Sequence, residues 1–422
     1  MEFNPYLGPY GARSPASETS TSDPNDDPYH PGLASRAEGD ELGIYAGTGE
    51  KLAFASALYD ASSEPELYRP ASDACLRLLH VGPCFMNGGS EHHLIALAKF
   101  LDGKRVRFER CLVTGRKYLD ASLAARMPAP VAWADTDTIR RAVRECDVLL
   151  TWGLGMNALL GQVRPKLGVF LAHGETDWTR AMLLQSRRCI DHVIAVSSRV
   201  AQRVCPDFEH TVVLNGVDTA RLAAQGSRDQ LRARYGFSSG DFVLGSVSRL
   251  VPDKRVELLI EAVARLPAAF KLLVAGWGEH RAALLELANE RIPGRFAFAH
   301  ADDYLGDLYS AMDAFGLASA HEGFGLVVAE ALLCGVPVVA TRVGCVPEVL
   351  CDRVSGLIVD SCADAFAAAA TLLRDHPEWA RGLAAEGRAF ARQRLHASRM
   401  AREYEDLLVR LWRARPAQEA RR

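Results

Sequence analysis

The sequence lacks any stretch of eighteen or more residues that is apolar and free of charge, so nothing in it reads as a bilayer-spanning helix. Its opening residues are rich in Pro, Asp and Ser where a secretory leader would be apolar, and the expectation is a soluble, cytoplasmic protein. The ten cysteines lie between Cys75 and Cys362, with no Cys-x-x-Cys pair and no grouping with histidine at zinc-ligand spacing. That excludes a zinc-ribbon framework and fits reduced thiols. Strong net charge is also missing. The formal charge of −3 conceals two opposed ends: residues 1–74 hold thirteen acidic against four basic side chains, a net of −9, while residues 381–422 hold eleven arginines against five acids, a net of +6. The bulk between them is balanced, which argues against a nucleic-acid-binding core, so no nucleic-acid partner is expected.

What is present is enough chain for two full cores: 422 residues, 49% of them hydrophobic. Residues 1–74 are Pro-, Ser-, Gly- and Asp-rich with only 52–58 offering anything to bury, and they read as a disordered extension. From Cys75 onward short apolar runs alternate with helical periods, the pattern of a parallel sheet covered on both faces. The first series of predicted strands is 76–81, 110–113, 148–151, 168–172, 193–196 and 211–214. The second, after the turn Asn215-Gly216, is 242–247, 271–275, 296–298, 314–317, 336–340 and 356–359. The predicted fold class is therefore α/β, two doubly wound Rossmann-like halves, with boundaries at 75–215 and 216–390. Residues 377–413 read as two or three helices with apolar positions at Leu383, Phe390, Met400, Tyr404, Leu407, Leu408 and Leu411, and 391–422 is expected to pack back on the first half.

Three segments carry charge or glycine where a parallel sheet binds ligands. After the first strand comes Gly88-Gly89-Ser90, with Ser90 as the expected N-cap of the next helix; a glycine pair at a helix start lets backbone approach a phosphate. It is not a Gly-x-Gly-x-x-Gly fingerprint. Beyond 242–247, Arg249 and Lys254 stand at the carboxyl end of a strand, where two cations suit a diphosphate or are simply solvated. The third runs from Ser319 through Glu322-Gly323-Phe324-Gly325-Leu326-Val327 to Glu330 and Gly335-Val336-Pro337. Eight helical residues rotate Glu330 by about 80° from Glu322, so both acids can face one cleft. A carboxylate amid Leu326–Leu333 is costly to bury without partners, which ribose hydroxyls could supply, while the amides of Gly325, Leu326 and Val327 can face a phosphate. The one Asp-x-Asp, Asp135-Thr136-Asp137, lies in the first half, away from these segments, so no metal site is expected.

The two glutamates with seven residues between them, set among Tyr309, Ser319, Gly323-Phe324-Gly325 and Gly335-Val336-Pro337-Val338-Val339-Ala340, resemble the retaining glycosyltransferases of the GT-B fold, the group 1 or family 4 enzymes. The resemblance covers roughly residues 75–411. It implies a nucleotide-sugar donor, UDP- or GDP-linked, held between an acceptor-side domain and a nucleotide-sugar-binding domain, with no metal or other cofactor. Glu330 is similar to the glutamate that binds the ribose and Glu322 to the one near the donor sugar. Arg249 and Lys254 match the basic pair on the diphosphate, Gly88 and Gly89 the loop that closes over it, and His173 the histidine at the reaction centre. Gly276-Trp277-Gly278 and Gly344-Cys345 depart from the family pattern, and the loop 299–303 lacks its usual glycine, which bears on the base but not on the charged core. The resemblance also implies a carbohydrate or lipid-linked acceptor, and with it a contact between the arginine-rich end and anionic membrane. A nucleotide-sugar 2-epimerase, a phosphorylase, or a silent sugar-nucleotide-binding module of the same fold remain alternatives.

Overall fold

The computed structural model describes residues 75–299 and 304–419. The expected disordered extension, 1–74, and most of the loop 299–303 lie outside the described residues. Leucine- and valine-rich runs buried on both faces form two all-parallel sheets, as helix-covered strands must. The first comprises β1 (Leu76–Gly82), β2 (Val106–Val113), β3 (Val131–Trp133), β4 (Val148–Thr151), β5 (Leu167–Ala172), β6 (His192–Ala195) and β7 (His210–Val212), in the order β3-β2-β1-β4-β5-β6-β7. The second comprises β8 (Phe242–Val247), β9 (Phe270–Ala275), β10 (Phe296–Ala299), β11 (Ala314–Leu317), β12 (Val338–Ala340) and β13 (Leu357–Ile358), in the order β10-β9-β8-β11-β12-β13. Strand order reverses between β1 and β4 and again between β8 and β11. Those two reversals open crevices at the carboxyl ends of the strands, where this architecture binds ligands.

Every one of the twelve predicted strands coincides with an observed one. The thirteenth, β3, was not anticipated: it is a three-residue edge strand with two exposed residues, too short for either an alternating or a continuous apolar signal. A second correction concerns the helix after β1. This helix, α1 (Gly89–Phe100), starts two residues earlier than expected, and its N-cap is Gly88, not Ser90. Ser90 sits inside the first turn, where its hydroxyl donates to Glu91 Oε2 at 2.7 Å, so it caps nothing.

The second sheet continues through α2 (Leu326–Cys334) after β11 and ends in α3 (Pro377–Arg394) and α4 (Ala397–Glu419). Leu383, Met400, Tyr404, Leu407 and Leu408 are buried. α4 leaves the second half and packs along α1 of the first, where the Tyr404 hydroxyl lies 3.1 Å from His93 Nε2 and the Asp102 amide donates to Glu405 Oε1 at 2.9 Å. The chain thus crosses between halves twice, and the crossings pair with each other. Val217 N–H donates to the Leu395 carbonyl (2.8 Å), and Ala397 N–H to that of Val217 (3.0 Å). Among the described residues no helix is long and apolar enough to cross a membrane.

Candidate active site

A cavity of about 600 Å³ opens between the two sheets at the carboxyl ends of β8 and β9. One wall is the start of α1, with Gly88, Gly89 and His92; the other holds Ser248 and Arg249 after β8, Trp277 after β9, and Leu326, Val327 and Glu330 of α2. Glu330 is only 5% exposed, and as a helix residue among Val328, Ala329 and Ala331 it needs partners to remain charged. The fully buried Tyr309 donates its hydroxyl to Glu330 Oε2 at 3.0 Å and lies 3.2 Å from the Val327 carbonyl. Arg221 Nη1 stands 4.0 Å from Glu330 Oε1. Burial, reinforced by the Glu330 charge, pushes the Tyr309 phenol well above its ordinary pKa, so it serves Glu330 as a donor. The cap of α2, Gly325, has φ 84°, a left-handed conformation that favours glycine, and no side chain caps the helix. Its first amides therefore have no intrahelical acceptor and carry the positive end of the dipole to the cavity wall at Leu326 and Val327.

The loop before α2 is fastened to the first half. A Cβ on Gly323 would fall 1.7 Å from the His173 carbonyl oxygen, so only glycine permits this approach. Ser197 Oγ donates to the Gly323 carbonyl at 2.9 Å. Phe324 is buried in the core, its carbonyl accepting from the Cys345 amide at 3.3 Å. Glu322 Oε1 receives Lys254 Nζ at 2.6 Å and Ser319 Oγ at 2.8 Å, a pair with both side chains 12% exposed. Across the same junction the buried Glu175 bonds Arg199 and lies 3.2 Å from His321 Nδ1. His173, at the end of β5, is half-buried with its Nε2 unpartnered, and its ring packs edge-on against His93 at 5.0 Å and Trp152 at 5.9 Å between centroids. Burial, then the neighbouring His93 and His80, holds its pKa well below the ordinary value. The imidazole is neutral at physiological pH.

The family model for glycosyl transferases group 1 matches residues 227–390. The lipopolysaccharide core biosynthesis mannosyltransferase LpsB of Rhizobium meliloti is 32% identical over 250 residues, which is 55% of this chain and 69% of that protein. The chain belongs to the group 1 glycosyltransferases. The GDP-mannose-dependent alpha-(1-6)-phosphatidylinositol monomannoside mannosyltransferase of Mycolicibacterium smegmatis is 28% identical over 333 residues, 71% of this chain and 86% of that one. Other curated relatives align over 35% to 64% of their own length. Among solved structures, Anabaena Alr3699/HepE in complex with UDP and glucose superposes with a TM-score of 0.69 at 21% identity, covering 79% of this chain and 99% of that one. The two facing parallel sheets are those of the GT-B fold.

In this glycosyltransferase the residues singled out from sequence fall into two adjoining groups. Gly88, Gly89, Arg249, Leu326, Val327 and Glu330 line the cavity. Lys254 and Glu322 pair beside it, Gly323, Phe324 and Gly325 form the loop between the two glutamates, and His173 backs onto Gly323; these six do not line the cavity wall. Asp135 of the Asp-x-Asp caps a helix by accepting from the Thr138 amide at 2.8 Å, and Asp137 is exposed. Among the described residues no three His, Cys, Asp or Glu side chains converge to hold a metal. Sequence reasoning missed Arg221, Arg126 and the service of Tyr309 to Glu330, because each lies far along the chain from its partner.

Proposed function

We propose that the enzyme moves a sugar from a nucleotide-diphosphate sugar to a hydroxyl of a carbohydrate or lipid-linked acceptor, with retention at the anomeric carbon and without a metal. The observation that carries this reading is the buried Glu330 sharing one cavity with Arg249 and the bare amides of α2. An acid held by Tyr309 keeps one carboxylate oxygen for ribose hydroxyls, and the amides and Arg249 suit the diphosphate beyond. Lys254 and Glu322, paired at the strand ends, fit the sugar–phosphate junction: the cation steadies the developing phosphate charge and the acid accepts from sugar hydroxyls. The bond from the anomeric carbon to phosphate oxygen breaks as the acceptor oxygen attacks on the same face. The acceptor's proton passes to the departing phosphate, and a neutral His173 can hold a hydroxyl without competing for that proton. The names of the relatives above, a lipopolysaccharide-core and a phosphatidylinositol-mannoside mannosyltransferase, support a saccharide or glycolipid acceptor.

Transfer assays with UDP- and GDP-sugars against a saccharide acceptor panel test this, using Glu322→Ala beside the parent and EDTA throughout. Equal turnover by both proteins would refute the site, loss of parent turnover in EDTA would refute metal independence, and inversion at the anomeric carbon would refute retention. The arginine-rich 381–422 is read as a peripheral contact with the anionic inner face of the membrane; sedimentation with anionic vesicles at low salt and not at high salt is the expected result.

A further inference from the structure

Arg221 sits in the segment joining the two sheets, outside the Glu322–Glu330 signature. Its side chain is 21% exposed and reaches into the cavity between Glu330 Oε1 at 4.0 Å and His92 Nε2 at 3.4 Å. The first separation is too long for a hydrogen bond. In the second, Asn87 Oδ1 lies 2.8 Å from the same His92 nitrogen, and one ring nitrogen cannot both donate to Asn87 and accept from Arg221, so the two contacts compete. A largely buried guanidinium with five N–H groups thus holds one long ion pair with Glu330 and one shared contact with His92 as its recorded partners, and faces the cavity with capacity to spare.

A second cation shares this end. Arg126, following the short helix Ala121–Ala124, lines the same cavity and makes no ion pair among the described residues. The nearby acids are engaged elsewhere. Asp218 pairs with Lys99 at 2.6 Å, Asp120 caps the amides of Ser122 and Leu123, and Glu330 is bound by Tyr309. Like charge adds to burial here: burial and then Arg221 lower the Arg126 pKa, and burial, then Arg221 and Arg126, push His92 down to about 3. Two cations lining one cavity repel each other, and an anion that enters between them relieves that repulsion.

We propose that Arg221 and Arg126, flanked by His92, form an oxyanion subsite on the first-domain side of the cavity, taking a phosphate or carboxylate group in addition to any held by Arg249 and Lys254. This rests on reading the cavity as the nucleotide-sugar site, and the anion comes either from the donor's diphosphate or from an acidic acceptor. Calorimetric titration of the parent, Arg126→Ala, Arg221→Ala and the charge-preserving Arg221→Lys separates these sources. The probes are UDP and GDP, uridine and guanosine, and inorganic phosphate added with and without saturating nucleoside diphosphate. Loss of one charge-assisted contact is worth about tenfold or more in affinity. If the donor supplies the anion, both alanine variants bind the nucleoside diphosphate about tenfold more weakly, nucleosides are unaffected, and Arg221→Lys retains part of the affinity. If the acceptor supplies it, nucleoside diphosphate affinity holds, while phosphate binding to the saturated enzyme falls by the same factor. Alanine variants that match the parent in both arms would overturn the subsite. A parent that binds neither UDP nor GDP would instead sink the proposed function, and the phosphate arm without nucleotide would still decide the subsite.

Discussion

Replacing Glu330 by alanine should weaken donor binding while leaving the fold intact, and the structure gives a magnitude for each half of that statement. On the binding side, a carboxylate accepting two ribose hydroxyls loses two charge-assisted bonds of roughly 1.5 kcal/mol or more each. About 3 kcal/mol corresponds to a rise in dissociation constant on the order of 10²-fold. On the folding side, the group at risk is the fully buried Tyr309 hydroxyl, which would be costly if orphaned. It is not orphaned, because the Val327 carbonyl stays 3.2 Å away, so the cost should remain within about 1 kcal/mol. Titration of parent and Glu330→Ala with UDP- and GDP-sugars, alongside urea unfolding of the same preparations, reads both quantities. Donor affinity within about threefold of the parent would remove Glu330 from the site, the two lost bonds being its whole assigned role. A stability loss as large as the binding loss would mean that the variant reports on packing.

Lys254→Met leaves the largely buried Glu322 carboxylate with Ser319 alone and should destabilise the protein by about 3 kcal/mol, besides lowering kcat on the order of 10²-fold. Adding Glu322→Gln should restore the unfolding midpoint but not turnover; recovery of both would refute a catalytic role for the pair. His80 and His93 have folded pKa values pushed down to about 3 and about 4, mainly by burial. Because these values lie below the unfolded one, the folded state binds fewer protons, and stability present above pH 6.5 is lost as pH falls, by about 2 kcal/mol per histidine at pH 5. Urea midpoints from pH 7.5 to 5 should fall less steeply in His80→Gln than in the parent, and parallel curves would refute the assignment. Glu405 is shifted oppositely, up to about 7 from 4.5, chiefly by burial. Its contribution is complete below pH 4.5 and is lost as pH rises to 7, so Glu405→Gln should gain stability relative to the parent between pH 4 and pH 8.

The sheets were legible because each strand is a self-contained run of Leu, Val, Ile and Ala punctuated by glycine or polar residues, and their parallel order followed from the alternation with helices. β3 was not, since Val131–Trp133 is an exposed edge whose three residues carry no periodicity. The Ser90 cap failed because a hydroxyl beside Glu91 has a nearer acceptor than a helix amide has a donor. At the site, Glu322, Glu330, Arg249 and Lys254 were readable from local spacing at strand ends. Three arrangements lay beyond that logic: the Arg221–Glu330 approach, the His173–His93–Tyr404 stack, and the Glu175–Arg199–His321 cluster. Each joins side chains from separate turns of the topology, and no local period encodes how two sheets meet.

The bridged segments at Val217 and Leu395–Ala397 give the molecule a door with two knuckles on one pin. A single tether would let the halves swivel freely, whereas two parallel tethers bonded to each other confine relative motion to a swing about their common line. Any widening of the mouth lined by Gly88 and Arg249 would have to turn about that line. Severing α4 from the body would remove one knuckle and the clasp of Tyr404 on His93 together, converting a guided swing into a loose joint.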